Sequence, residues 1–185
     1  MGHEKSRVYP TEKAGSLESR LRRWLQDPRK ILRPYIAEGM TALDIGCGPG
    51  FFTLDMGRMV GTAGRVIAVD LQEGMLDRLR TRLQGTEMEQ HITLHRCTED
   101  RIGVTDRADF ALCFYLLHEL PDHEAFFAEL HALLKPGGQA LLVEPPLHVS
   151  REAFAATVEK ARKTGFIPAD GPKVFLGKSA ILRKA

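Results

Sequence analysis

Asp44 stands two residues before Gly46, and glycines alternate at 46, 48 and 50 through Leu43-Asp44-Ile45-Gly46-Cys47-Gly48-Pro49-Gly50. Alternating glycines let a backbone turn sharply and approach a ligand without Cβ clashes. The run follows apolar residues from Met40 and precedes Phe51-Phe52-Thr53-Leu54. It therefore reads as strand, tight turn and helix start, with the N–H groups of the new helix facing whatever binds there. A second apolar run, Arg65 to Val69, ends in Asp70, twenty residues after Gly50. An acid at that distance, at the tip of a second strand, is placed to accept hydrogen bonds from ribose hydroxyls. The two features together imply a cofactor containing a nucleoside.

Asp44 selects among such cofactors. A dinucleotide lays its pyrophosphate on the glycine turn, where a carboxylate at position 44 would repel it. S-adenosylmethionine has no phosphate and carries a sulfonium and an ammonium, which the same carboxylate attracts. The charge pattern favours the methyl donor over NAD.

Asp-x-Gly-x-Gly-Pro-Gly, the acid after the second strand, and Leu134-Lys135-Pro136-Gly137-Gly138 before another apolar strand resemble class I S-adenosylmethionine-dependent methyltransferases. The chain is most similar to their compact small-molecule branch, which includes the quinone-biosynthesis C-methyltransferases. The resemblance covers roughly residues 40 to 145 at the level of motifs. It implies a cofactor site built from Asp44, Gly46, Cys47, Gly48 and Gly50, with Asp70 on the ribose and Leu71 against adenine. After the third strand the family commonly places an acid beside the adenine edge. Here the order is Cys97-Thr98-Glu99, so Cys97 departs from the pattern and Thr98 or Glu99 would serve instead. Leu116, after the fourth strand, would meet the methionyl part through its backbone. The expected product is S-adenosylhomocysteine.

Methyl transfer from a sulfonium is an in-line displacement that needs orientation and a dry site, and a base only when the nucleophile arrives protonated. His118 has a suitable unperturbed pKa, and Glu119 beside it could act as base or orienting partner. Glu119 could equally cap the next helix. Tyr115 could close its ring over the sulfonium or simply end the strand's core. Glu144, at the tip of the fifth strand and followed by Pro145-Pro146, is a further candidate to face the acceptor. His118, Glu119 and His123 match no zinc spacing, and His123 is expected to point into solvent, so no metal is expected.

These residues need a scaffold, and strands and helices alternate from Met40 onward. Helices are expected over about Phe51–Val60, Gln72–Gln84, from Asp122 and from Ser150, and strands over His91–Arg96, Ala108–Tyr115 and Gln139–Val143. Phe166–Leu176 and Ser179–Arg183 would form an antiparallel hairpin across Gly177-Lys178, with Pro168 confining the first to an edge. The fold class is α/β, a Rossmann-like, doubly wound, mostly parallel sheet, which the resemblance makes seven-stranded with an antiparallel C-terminal hairpin. Residues 1–185 read as one domain: a helical cap over 1–38, a cofactor-binding core over 39–145, and a last helix with the hairpin over 146–185. In the cap, Ser16 would begin a helix burying Leu17, Leu21, Trp24 and Leu25. Asp27-Pro28 would restart the chain with Ile31, Leu32, Tyr35 and Ile36 inward. A lid over the pocket and plain packing against the sheet both fit this segment.

Composition narrows the class further. The longest apolar run, Phe110 to Leu117, is too short to span a bilayer, and the charged N-terminus does not resemble a secretion signal. Gly2 with Ser6 meets a loose acylation spacing that recurs by accident, and reads as an ordinary tail. Three unclustered cysteines suggest no disulfide framework, so a cytoplasmic location fits best. Charge is uneven: +4 over residues 1–40, −7 over 41–149 and +5 over 150–185. The imbalance is too small to argue for nucleic acid, so the expected partner is a small-molecule acceptor, with oligomeric state open. An NAD-dependent oxidoreductase would require no acid at 44 and room for a catalytic domain, and neither condition is met. A regulatory module that binds the methyl donor without transferring its methyl stays an alternative.

Overall fold

The computed structural model describes residues 20–185. The Gly2–Ser6 spacing, the Ser16 cap and Leu17 lie outside the described residues. Seven strands form one sheet: β1 (Thr41–Ile45), β2 (Arg65–Asp70), β3 (Ile92–Arg96), β4 (Ala108–Phe114), β5 (Leu134–Glu144), β6 (Phe166–Asp170) and β7 (Lys178–Lys184). Their order is β3-β2-β1-β4-β5-β7-β6, parallel through β5 and antiparallel for the last two. Five of the six β2 residues are buried, as required of a strand covered on both faces.

The helices are α1 (Arg20–Leu25), α2 (Pro28–Leu32), α3 (Thr53–Val60), α4 (Glu73–Leu83), α5 (His123–Leu133) and α6 (Arg151–Lys163). One face of the sheet packs against Ile31 and Leu32 of α2, Met56 and Val60 of α3, and Leu76, Leu79 and Leu83 of α4. The other packs against Phe126, Phe127, Leu130 and Leu133 of α5 and Ala161 of α6. Side-chain caps start the helices where their types predict: Asp27 accepts from the Arg29 N–H, Asp122 from Glu124 and Ala125, and Ser150 from Ala153. Among the described residues no helix is long and apolar enough to cross a membrane.

Three expectations are corrected. Leu21 and Trp24 do not face the sheet. Trp24 is 78% exposed, and the inward face of α1 is polar. Arg22 lies over the Phe51 ring at 4.2 Å, and Gln26, just past the helix, is buried. The cap is held by charge as well: the fully buried Asp55 of α3 binds Arg23 at 2.5 Å, Arg29 at 3.1 Å and Arg58 at 3.3 Å. Second, β5 starts at Leu134 and takes in Lys135-Pro136-Gly137-Gly138, because Ala108 pairs with Leu134 across a register shift. Third, the first hairpin strand stops at Asp170, and residues 171–177 form a loop before β7. Ser179 Oγ of β7 donates to the Pro172 carbonyl of that loop at 2.5 Å.

Candidate cofactor and acceptor site

The sheet order reverses between β1 and β4, and in such sheets a crevice opens beyond the carboxyl ends of the strands. A cleft of about 1030 Å³ lies there, at the upper end of the roughly 300–1,000 Å³ of small-molecule pockets. Asp44, Gly46, Cys47, Gly48, Asp70, Leu71, Cys97, Thr98, Glu99, Tyr115, Leu116, His118 and Glu119 all line it. Gly50 and Glu144 do not.

In the half formed by β1 and β2, backbone geometry dominates. Gly46, Gly48 and Gly50 all have positive φ, which only glycine adopts without strain. A Cβ on Gly50 would lie 2.4 Å from Cδ1 of the buried Leu79. Gly50 therefore shapes the turn from behind. The amides of the glycine turn are used within the protein. Those of Gly46 and Cys47 donate to the Val69 carbonyl, that of Gly50 to the Cys47 carbonyl, and that of Gly48 to Asp70 Oδ2 at 2.8 Å. Asp70 Oδ1 accepts from the Gln72 N–H at 2.9 Å, so the carboxylate is fixed at the strand tip. Burial raises its pKa against those bonds. Phe51 and Phe52 precede the regular helix, which begins at Thr53.

Asp44 is 3% exposed and accepts from the Thr53 hydroxyl at 2.6 Å. Burial pushes its pKa up to about 7, the charge of Asp70 adds to the shift, and the Thr53 bond opposes it. A carboxylate so desolvated, on the floor of an open cleft, gains when a cation arrives. Cys47 and Cys113 are buried, and Cys97 is half-buried with its thiol pushed up to about 11, so none is an activated nucleophile. Cys97 contributes its N–H to the Asp70 carbonyl at 3.0 Å. Thr98 Oγ1 donates to Asp100, and Glu99 is exposed at the rim.

The half formed by β4 and β5 is organised by one buried acid. Glu144, expected to face the acceptor, is 1% exposed and turned to the loop after β4. Its Oε1 accepts from the Leu117 N–H at 2.9 Å and its Oε2 lies 2.7 Å from His118 Nδ1. Glu144, rather than Glu119, is thus the partner that orients His118. The hydrogen bond to Glu144 raises the His118 pKa against the opposing effect of burial. A carboxylate only accepts, so Nδ1 carries the proton and the neutral ring keeps its lone pair on Nε2. Leu116 is turned by the short helix Leu117–Glu119, its carbonyl accepting from the Glu119 N–H at 3.0 Å. His123 is also corrected: its Nε2 lies 2.7 Å from the Leu117 carbonyl, bracing the loop from beneath instead of meeting solvent.

Tyr115 has φ of 59°, uncommon outside glycine, and its N–H donates to the Val143 carbonyl at 2.7 Å. Its hydroxyl donates to the Leu176 carbonyl at 3.0 Å and accepts from Gln26 Nε2 at 2.6 Å. Gln26 Nε2 also reaches the Phe175 carbonyl at 3.1 Å. This residue therefore joins the cap, β4 and the loop before β7. Sequence reasoning missed Gln26, and also Arg22 and His148 on the cleft wall. The His148 ring stacks on His118 at 5.8 Å between centroids. The four-residue spacing of Arg22 and Gln26 was the available signal, since it places both on one helical face.

Residues 42–138 match the family described as methyltransferase domain. Demethylmenaquinone methyltransferase of Oceanobacillus iheyensis is 28% identical over 134 residues, covering 71% of this chain and 56% of that protein. The enzyme of the same name from Lactococcus lactis is 30% identical over 120 residues, covering 63% and 47%. The chain thus spans about half the length of these relatives. A crystal structure of a SAM-dependent methyltransferase from Aquifex aeolicus superposes with a TM-score of 0.84 at 25% identity, covering 95% of this chain and 98% of that one.

Proposed function

The chain belongs to the methyltransferase-domain family of S-adenosylmethionine-dependent enzymes, and from that premise we propose that it methylates a small, hydroxyl-bearing acceptor of the quinol type. The observation that carries the reading is His118 held by Glu144 at 2.7 Å on the wall of the cleft whose floor is Asp44. A base fixed in tautomer and orientation serves an acceptor that must lose a proton to become nucleophilic. A binding module has no need of one. The name of the Oceanobacillus and Lactococcus proteins supports the quinol class.

The residues present fit the cofactor. Asp44, with its pKa at about 7 and Thr53 as hydrogen-bond partner, is a buried acid that a cationic ligand would relieve. Asp70 would receive the ribose hydroxyls, Leu71 would cover adenine, and Thr98 and Glu99 would border its edge. When bound, S-adenosylmethionine supplies a methyl group made electrophilic by its sulfonium and leaves as S-adenosylhomocysteine. His118 Nε2 takes the acceptor's proton, and Glu144 stabilises the imidazolium that forms. Leu116 and Tyr115 wall the space between the two halves and exclude water. No metal enters this scheme.

The test is turnover with methyl-labelled S-adenosylmethionine and a panel of reduced short-chain naphthoquinols, benzoquinols and catechols, run beside small amine and thiol acceptors. Labelled product with a quinol, slowed by about a hundredfold or more in His118→Ala while donor binding persists, is the expected result. Turnover of amine or thiol acceptors alone would overturn the acceptor class.

A further inference from the structure

We infer that one side of the cleft mouth, formed by α1 and the loops after β5 and before β7, docks on an anionic membrane surface through five apolar side chains set among basic residues. Among the described residues six large apolar side chains are exposed: Leu21, Trp24, Leu147, Ile167, Phe175 and Leu176. All but Ile167 lie on three segments that meet at one mouth. The first is α1 with Gln26, whose Arg22 lines the cleft. The second is the loop after β5, whose Pro145 and His148 line it and whose Leu147 is 93% exposed. The third is the loop before β7, tied to Gln26 and Tyr115 through the Phe175 and Leu176 carbonyls. Lys178 Nζ donates to the Val149 carbonyl at 2.7 Å, which joins the second segment to the third.

Apolar side chains at one mouth could mark several kinds of partner, and charge decides among them. Residues 20–33 hold six Lys/Arg against Asp27, and Asp55, paired with Arg23 and Arg29, offsets one more, which leaves a net +4 here against +2 for the whole chain. Arg151 and Lys173 add exposed cations to the other two segments. Outward Leu and Trp beside Arg and Lys is the composition of a surface that inserts shallowly into the headgroup region and gains from anionic lipid. A second copy of the same rim would bring these cations together, which disfavours a symmetric dimer through it. On the methyl-transfer reading, such docking would let a lipid-soluble acceptor enter toward His118. The docking itself does not depend on that reading.

Trp24 is the chain's only tryptophan, so its emission reports this surface alone. The 185-residue chain is mixed, without methyl donor or acceptor, with vesicles of phosphatidylcholine alone or doped with phosphatidylglycerol. The expected result is a blue shift and quenching by brominated acyl chains on the anionic vesicles, reversed at about 1 M salt, where the Debye length is about 3 Å. L21S combined with F175S should weaken partition by about tenfold or more while leaving the fold intact, since both side chains face solvent. Unchanged emission on anionic vesicles overturns the proposal. So does emission already blue in buffer, whether it grows with protein concentration, which indicates a second copy, or stays constant, which indicates cover by the chain itself. An equal shift with polyglutamate in place of vesicles would assign the surface to an acidic protein and also overturn it. Because no turnover is measured, failure of the methyl-transfer reading leaves this result standing.

Discussion

The two halves of the cleft hold their acids for different ends. Beside β1 and β2, Asp70 is fixed by the Gly48 and Gln72 amides, and the turn itself is closed on the Val69 carbonyl. Beside β4 and β5, Glu144 is fixed by one amide and gives its other oxygen to a side chain that titrates. The first arrangement, on the proposed reading, is a rigid receptor for the cofactor. The second, on the same proposed reading, orients a base. The difference teaches that a buried carboxylate at a strand tip binds or positions according to what its neighbouring loop turns toward it.

The comparison breaks most visibly at His118. H118A should lower kcat by about 10²- to 10⁴-fold, roughly 3–5 kcal/mol, with donor affinity unchanged in calorimetry. An equal loss of donor affinity would merge the two halves. Next in size, Gly50→Ala places a Cβ against Leu79 at φ +91°. It should destabilise the fold by about 2–4 kcal/mol, read as a lower Tm, since strain and overpacking each contribute about 1–3 kcal/mol. No comparable glycine stands beside His118.

Titration separates the halves in the same experiment. Asp44 holds its proton up to about pH 7, and a cationic ligand favours the charged form, so binding must expel that proton at lower pH. Donor affinity should therefore fall as pH drops through 7, by about tenfold between pH 8 and 6, and D44N should flatten that slope. His118 must be neutral to accept a proton, and its raised pKa puts the rising limb of the rate profile above the usual histidine value. E144Q removes the main cause of that shift and should move the limb to lower pH. The smallest effect is expected at Tyr115→Phe, which removes the hydroxyl's bonds to the Leu176 carbonyl and to Gln26 and weakens the join between cap and loop by about 1–2 kcal/mol in denaturant melts.

The β1–β2 half was legible because backbone demands leave residue types behind: glycine where φ is positive, an acid where a strand ends. The strand and helix alternation was legible for the same reason, and the three side-chain caps fell where Asp27, Asp122 and Ser150 predict. The β4–β5 half was not. Glu144 and His118 are 26 residues apart in sequence, and nothing in either neighbourhood announces that the fold will bring them to 2.7 Å. The cap was misread through its period. Leu21 and Trp24 share a face, but Arg22, Arg23 and Gln26 find Phe51, Asp55 and Tyr115 on the core side, and those partners are distant in sequence.

The central claim is that Asp44 and Asp70 make this cleft a site for S-adenosylmethionine. Calorimetric titration of S-adenosylmethionine, S-adenosylhomocysteine and NAD into the wild-type protein and into Asp70→Ala tests it most directly. Binding of the first two, none of NAD, and a loss of about 1–3 kcal/mol on substitution are predicted. Binding of NAD without the sulfonium compounds would contradict the account.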